Sequence, residues 1–253
     1  MNTPYTFEKD IEPKIDAIEK KFDDAQAEII IYSNKLHKPI FQERDEALKG
    51  VEKFWTKALS NCPGVMIYID DEDKPVFDYL SAIRVERNEK DVREASIHLD
   101  FEPNDYFNNS TLTRSFKLKE GAGSLGAEFD FPEHMKSEPF VIEWKSDEKN
   151  QAKLRPTQFS EDEEDFEPGS FFSSFFDSKH ENLVVSIGDV LINDFYPRAI
   201  DYYTGKASLD DFFMDGDEED DDDEEEDEED ESDDDREIDL EEEERRPKKK
   251  TKN

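Results

Sequence analysis

The chain is short of positive charge, cysteine, glycine and long apolar runs, and each shortage removes a class of function. Its 33 basic residues stand against 70 acidic ones, a formal charge of −37. A surface biased that far repels phosphodiester backbones and anionic lipid, so capture of nucleic acid or of a membrane is excluded as the main task. Direct DNA binding is expected to be weak at most. A single cysteine, Cys62, excludes an internal disulfide and suits a reducing compartment. No stretch approaches the roughly 18–20 apolar residues of a membrane span, and residues 1–5 lack the charged and apolar blocks of a secretory signal. Gly121, Gly123 and Gly126 precede no helical pattern and read as a turn, not a phosphate loop. The histidines, His37, His98, His134 and His180, are scattered, with no Cys or His neighbour at zinc-ligand spacing. No cofactor, metal or catalytic group is expected; the chain does not read as an enzyme.

What the chain has is carboxylate. Residues 215–244 hold 25 acidic side chains and one basic one, Arg236. Self-repulsion and the lack of apolar residues keep such a segment from collapsing, so 206–253 reads as a disordered tail. It is a counter-charge for something strongly positive, or at the least a solubilising brush. Behind it, Arg245, Arg246, Lys248, Lys249, Lys250 and Lys252 form a compact basic run with the look of a nuclear import signal. The expected location is the nucleus, with exchange to the cytoplasm, where the abundant polycations are histones. Residues 1–214 still sum to −19. Ser160 and Ser232, each followed by acids, suit an acid-directed kinase, and phosphate there would add about −1.5 to −2 charges each.

Residues 1–60 are expected to form an N-terminal segment and a long helix. Ile11, Ile15, Ile18, Phe22, Ala25, Ile29, Tyr32 and Leu36 recur at steps of four and three, the period of a seam buried against another helix. Asp10 is the expected N-cap, and Pro13 is tolerated in the first turn. Two readings are open: the helix folds back on its own domain, or it pairs with a second copy. The narrow stripe, on a helix about 40 Å long, favours the second. Pro39 is expected to kink or break the helix near Lys38. Beyond it the apolar positions (Ile40, Phe41, Ala47, Leu48, Val51, Phe54, Trp55) are rotated by about 100°. The first part then faces a partner chain and the second part the domain.

Residues 61–205 read as an α+β domain. Ile83 and Val85 mark a first strand; Ile97, Leu99 and Phe101 alternate with polar residues in a second; Phe116 and Leu118 mark a third; Phe140, Ile142 and Trp144 a fourth. His98, Asp100 and Glu102 are expected to face Lys117 and Lys119 across a hairpin. Residues 146–168 look like a mobile insertion with few core positions. A helix with Leu183, Val184, Ile187, Val190, Leu191 and Phe195 inward follows, stopped at Tyr196-Pro197, with Asp189 and Asp194 exposed on it.

Several of these segments together resemble nucleosome assembly proteins, in particular their SET / template-activating-factor branch. They are Pro39-Ile40-Phe41-Gln42-Glu43-Arg44 running to Phe54-Trp55, Asp105-Tyr106-Phe107-Asn108, Ile142-Glu143-Trp144-Lys145, Ser170-Phe171-Phe172 with Phe175, and Asn193-Asp194-Phe195-Tyr196-Pro197 through Tyr202-Tyr203. Order and spacing agree over about residues 10–204, with the 146–168 stretch and Ser174, where a Trp is common, as departures. The resemblance implies a homodimer in which long helices pair and an "earmuff" domain of antiparallel sheet covered by helices hangs from each. It implies a histone chaperone that holds core histones of either pair, variants included, on acidic surfaces. The carboxylates expected to do so are Glu102, Asp105, Asp177, Glu181, Asp189, Asp194 and Asp201 on the body, with Asp217, Glu218, Asp221, Glu224 and Asp227 in the tail; the alternative for each is a solvated surface acid. Regulation of a phosphatase, or of histone-modifying enzymes, is the other activity the resemblance brings.

Overall fold

The amphipathic stripe becomes one uninterrupted helix, α1, Glu12–Leu48, in a computed structural model that describes residues 11–159, 166–177 and 179–207. The expected N-cap, Asp10, lies outside the described residues; Ile11 occupies the cap position without a side-chain bond. Of the kink or break expected near Lys38, the break does not occur, since α1 runs through Pro39. Proline removes one donor there, but Lys35, Pro39 and Ile40 are exposed, so water can serve the carbonyl left over. The next turn is held by packing of Phe41, Arg44 and Leu48 on the domain, and tertiary contact outweighs local propensity. The chain breaks later, at residues 49–53. Lys53 adopts a left-handed φ of 53° and its Nζ reaches Asp78 at 2.7 Å. Short helices follow: α2 Phe54–Ser60, α3 Pro63–Met66 and α4 Lys74–Phe77.

A four-stranded antiparallel sheet comes next, in the order β1 Leu80–Arg87, β2 Ala95–Phe101, β3 Thr111–Leu118 and β4 Met135–Glu138. Strand β2 alternates as its sequence demands: Ala95, Ile97, Leu99 and Phe101 are buried and the residues between are half-exposed. Its register with β3 pairs His98 with Thr113 and Asp100 with Thr111. The expected match to Lys117 and Lys119 is therefore incorrect. The register places Leu112 opposite Leu99 on the core face, and a slip of one residue would expose both. Asp100 instead accepts from Arg84 of β1 at 2.7 Å and from Thr111 at 2.7 Å, while Lys117 pairs with Glu94 at 3.2 Å.

The expected fourth strand, Phe140 to Trp144, is not a strand. The role falls to β4, which follows helix α5, Phe131–His134. Phe140, Ile142 and Trp144 do alternate inward with exposed Val141 and Glu143. Their backbone leaves the sheet at Pro139 and bonds to the 104–109 loop: Asn108 N–H to the Glu143 carbonyl at 2.9 Å, Lys145 N–H to that of Tyr106 at 2.8 Å.

Of the stretch 146–168, expected as a mobile insertion, residues 160–165 lie outside the described residues. The rest carries a turn of 3₁₀ helix and then α6, Gln151–Leu154, with Gln151 and Ala152 buried. A two-residue hairpin, β5 Gln158–Phe159 with β6 Phe166–Glu167, closes it. Arg155 ties the stretch to the domain, donating to Asp73 at 2.7 Å; fully buried Asp73 also accepts from the Ser170 hydroxyl at 2.6 Å and the Phe171 N–H at 2.8 Å. Ser174, where the resemblance led to a Trp, is buried and donates to the Pro168 carbonyl at 2.5 Å.

Helices α7 Phe171–Phe175 and α8 Glu181–Asp189 cover the sheet. A single π-helical stretch, Val190–Phe195, leads to α9, Ala199–Thr204. Phe77, Phe107, Phe116, Phe171, Phe172, Phe175 and Phe195 are fully buried, each contributing up to about 3 kcal/mol of burial. Gly188 is what lets α8 approach the sheet so closely, because a Cβ there would overlap the Phe116 ring.

Candidate functional site

Two surfaces draw attention, and the first is α1. Its stripe is bare in the single chain: Ile18 is 46% exposed, Phe22 72%, Ile29 60%, Tyr32 62% and Leu36 48%. Ala25 is also exposed, and Ile11 and Ile15 are half-buried. The steps along the stripe read four-three-four-three-four-three-four from either end. Two antiparallel copies would therefore meet residue for residue, Ile11 with Leu36 and Phe22 with Ala25, as a twofold contact requires. The opposite face of the same helix is not free. Gly126 lies so close that a Cβ would overlap the Asp23 carbonyl, and Ser124 bonds Asp23 at 3.4 Å. The first half of α1 thus touches its own domain through the 124–127 turn as well as offering the stripe outward.

The second half is bolted to the domain by a residue the sequence did not single out. The Arg44 side chain is 9% exposed and pairs with Asp45 at 2.7 Å. It also donates to the Tyr196 carbonyl, and its guanidinium lies 4.3 Å from the Tyr196 ring and 4.9 Å from that of Phe41. The Tyr196 hydroxyl returns a bond to Asp45 at 2.6 Å. Burial and this carboxylate push the Tyr196 phenol well above its ordinary pKa. A charged hydrogen-bonded pair stacked between aromatic rings fixes the angle between helix and domain.

The second surface is acidic. Glu102, Asp105, Asp177 and Glu181 are exposed. Three of them lie along the segment that leaves β4, with Glu138 and Glu143, two exposed acids not anticipated. Asp105 sits at the end where Lys145 meets Tyr106, and Asp177 beside Phe176, whose ring lies 6.0 Å from that of Phe140. Glu181 is partly engaged, accepting from the Ser137 backbone N–H and, at 3.1 Å, its hydroxyl. The other three expected acids are half-buried elsewhere. Asp189 accepts from Asn193 at 2.6 Å, and burial raises its pKa. Asp194, expected to be exposed, accepts from Tyr202 at 2.5 Å and Arg198 at 3.0 Å; Asp201 caps the end of α9 through its carbonyl. The tail acids Asp217, Glu218, Asp221, Glu224 and Asp227, the basic run 245–252, and Ser160 and Ser232 lie outside the described residues.

A long helix with a bare stripe, joined to an antiparallel sheet under helices, has relatives. The family model described as nucleosome assembly protein matches residues 8–206. The chain belongs to the nucleosome assembly protein family. Among family relatives, NAP1-related protein 2 of Arabidopsis thaliana is 30% identical over 211 residues, covering 81% of this chain and 77% of that protein. Protein SET of Drosophila melanogaster is 29% identical, covering 75% and 69%. A solved structure of a Ccp1 mutant superposes with a TM-score of 0.60 at 28% identity, over 78% of this chain and 95% of that one. The histone chaperone Vps75 shares the fold, with a TM-score of 0.59 at 20% identity over 79% and 98%.

Proposed function

We propose that the protein is a histone chaperone acting as a homodimer: two copies join along the α1 stripe and offer their acidic surfaces and tails to core histones. The observation that carries this reading is a family member's body that remains strongly acidic after its tail is set aside, with Asp105, Glu138, Glu143, Asp177 and Glu181 all exposed. Lysine and arginine side chains of a histone find there an alternative to DNA phosphate, of an affinity that falls with salt. Such a partner prevents aggregated histone–DNA contacts and still yields histones to a finished nucleosome. Asp189 and Asp194 contribute less in this reading, since internal donors already occupy them.

The test is a histone–DNA precipitation assay at moderate salt. The full chain is expected to keep the mixture soluble, and a chain lacking 215–244 to do so less well. Absence of protection at every ratio sinks the proposal. Appending residues 245–252 to a cytoplasmic reporter tests the import signal.

A further inference from the structure

The two halves of α1 are held to the domain very unequally, and Pro39 marks the boundary. Beyond it, Phe41 and Leu48 pack on the core and Arg44 is locked between Asp45 and Tyr196. Before it, no residue of α1 is buried. Among the described residues this half has two polar links to the domain. Ser124 bonds Asp23 at 3.4 Å, and Lys38 meets Glu89 at 3.8 Å through side chains 57% and 90% exposed. An exposed pair of that length holds little. Between the two links helix and domain stand apart: a cavity of about 1030 Å³ separates Gln26, Ile30 and His37 from Val92, Leu125 and Phe129. Its far end is closed by one backbone contact, Gly126 against the Asp23 carbonyl, where a Cβ would overlap. Gly126 lacks the left-handed φ of Gly121 and Gly123, so its backbone would accept any residue. What is missing there is room for a side chain under α1. The turn touches the helix without packing on it.

Pro39 supplies the other requirement of a joint. It has no N–H for the Lys35 carbonyl, so the helix lacks one hydrogen bond between its two halves, at the kind of residue where sharp kinks arise. The pairing stripe, Ile11 to Leu36, ends three residues short of it. Pairing would stiffen the first half into a rod, while the bolted turns beyond Pro39 belong to the domain. We infer that the domain swings on the first half of α1 about Pro39, with Gly126 on Asp23 as the catch of the closed position. Sixteen residues separate Asp23 from Pro39, a lever of about 24 Å. A bend of about 20° then carries the 124–127 turn roughly 8 Å off the helix. The swing opens the cavity and changes the angle at which the acidic surface meets a client, so one dimer can fit cargoes of different width. That use rests on the function proposed above; the motion itself does not.

The test is a spin-label distance measurement on the full chain without histone, so failure of the chaperone reading leaves its result untouched. Lys20→Cys on the helix and Glu133→Cys on the domain carry the labels. Both positions are exposed, and fully buried Cys62 takes no label. Labelled chains are diluted in an excess of unlabelled ones, so that the measured pair lies within one chain. Two distances about 8 Å apart are expected. Gly126→Val should abolish the shorter one by pushing the turn off Asp23. Pro39→Ala should abolish the longer one by restoring the missing bond. A single distance in the parent overturns the proposal. So does a shorter distance that survives Gly126→Val, or a longer one that survives Pro39→Ala.

Discussion

Phe22→Ala is the sharpest probe of the helix pairing. The ring is 72% exposed in the single chain, and the proposed twofold pairing sets it against the partner's Ala25. A phenylalanine side chain offers roughly 200 Å², so about 140 Å² is open to be covered. At about 25 cal/mol per Å² that is worth up to about 3.5 kcal/mol. Truncation keeps the methyl and allows some collapse, leaving a loss of about 2 kcal/mol per site. A twofold dimer suffers it twice, so the association should weaken by about 4 kcal/mol, roughly a thousandfold in Kd. Sedimentation equilibrium from nanomolar to tens of micromolar measures this directly. The same variant should keep the thermal unfolding of its domain unchanged within about 0.5 kcal/mol, as for an ordinary surface position. A shift in Kd below tenfold, or a domain that loses as much stability as the dimer loses affinity, would refute the reasoning.

Arg44→Ala removes the bolt between helix and domain, leaving the Tyr196 carbonyl without its donor and Asp45 with only the Tyr196 hydroxyl; a loss of about 3 kcal/mol in thermal or urea unfolding is expected, and Arg44→Lys should recover little of it because the stacked fork is lost. Hydrogen bonds from Arg84 and Thr111 outweigh the burial of Asp100 and hold its carboxyl below the usual range. Its contribution is therefore full above the unfolded value of about 3.9 and disappears as pH falls through the lower folded value. Asp100→Asn should be less stable than the parent at pH 6, with the two converging in acid; a constant gap across the titration would contradict the assignment. Burial pushes the Cys62 thiol up to about 12, so a thiol reagent at pH 8 should leave the native protein unmodified and react at once when urea opens it; rapid labelling of the folded chain would show that the α2–α3 corner is loose.

The parts of this fold with a repeating physical signal were legible in the residues. The α1 stripe was visible because its 3.5-residue period has no other use on a polar helix, and β2 because each inward side chain is apolar and each outward one polar. What stayed hidden had either too little signal or a signal with two meanings. Strand β4 buries only Met135 completely, and one side chain does not make a period. Alternation in Phe140–Trp144 records which way side chains point, not which backbone the segment pairs with, and its partner is the 104–109 loop in place of the sheet. Pro39 announced a break that the packing of Phe41 and Arg44 overrides. Asp73 and Arg155 sit in charged surroundings that read as loop, yet they meet across 82 residues in a buried network. The acidic site was legible as a quantity of charge. Its distribution was not, because Asp194 and Tyr202, or Glu181 and Ser137, find one another only in three dimensions.

That last contact matters for the company such a protein keeps. β4 is an edge strand of its sheet, as is β1, and an open rim of this kind invites any unfolded chain to zip on as a further strand. Here the Met135 N–H is taken by the Phe131 carbonyl, Ser137 N–H by Glu181, and Pro139 has none to offer. The border is sealed one donor at a time. Under the proposed function, cationic clients are held by charge along this border, reversibly, without adding a further strand to β4.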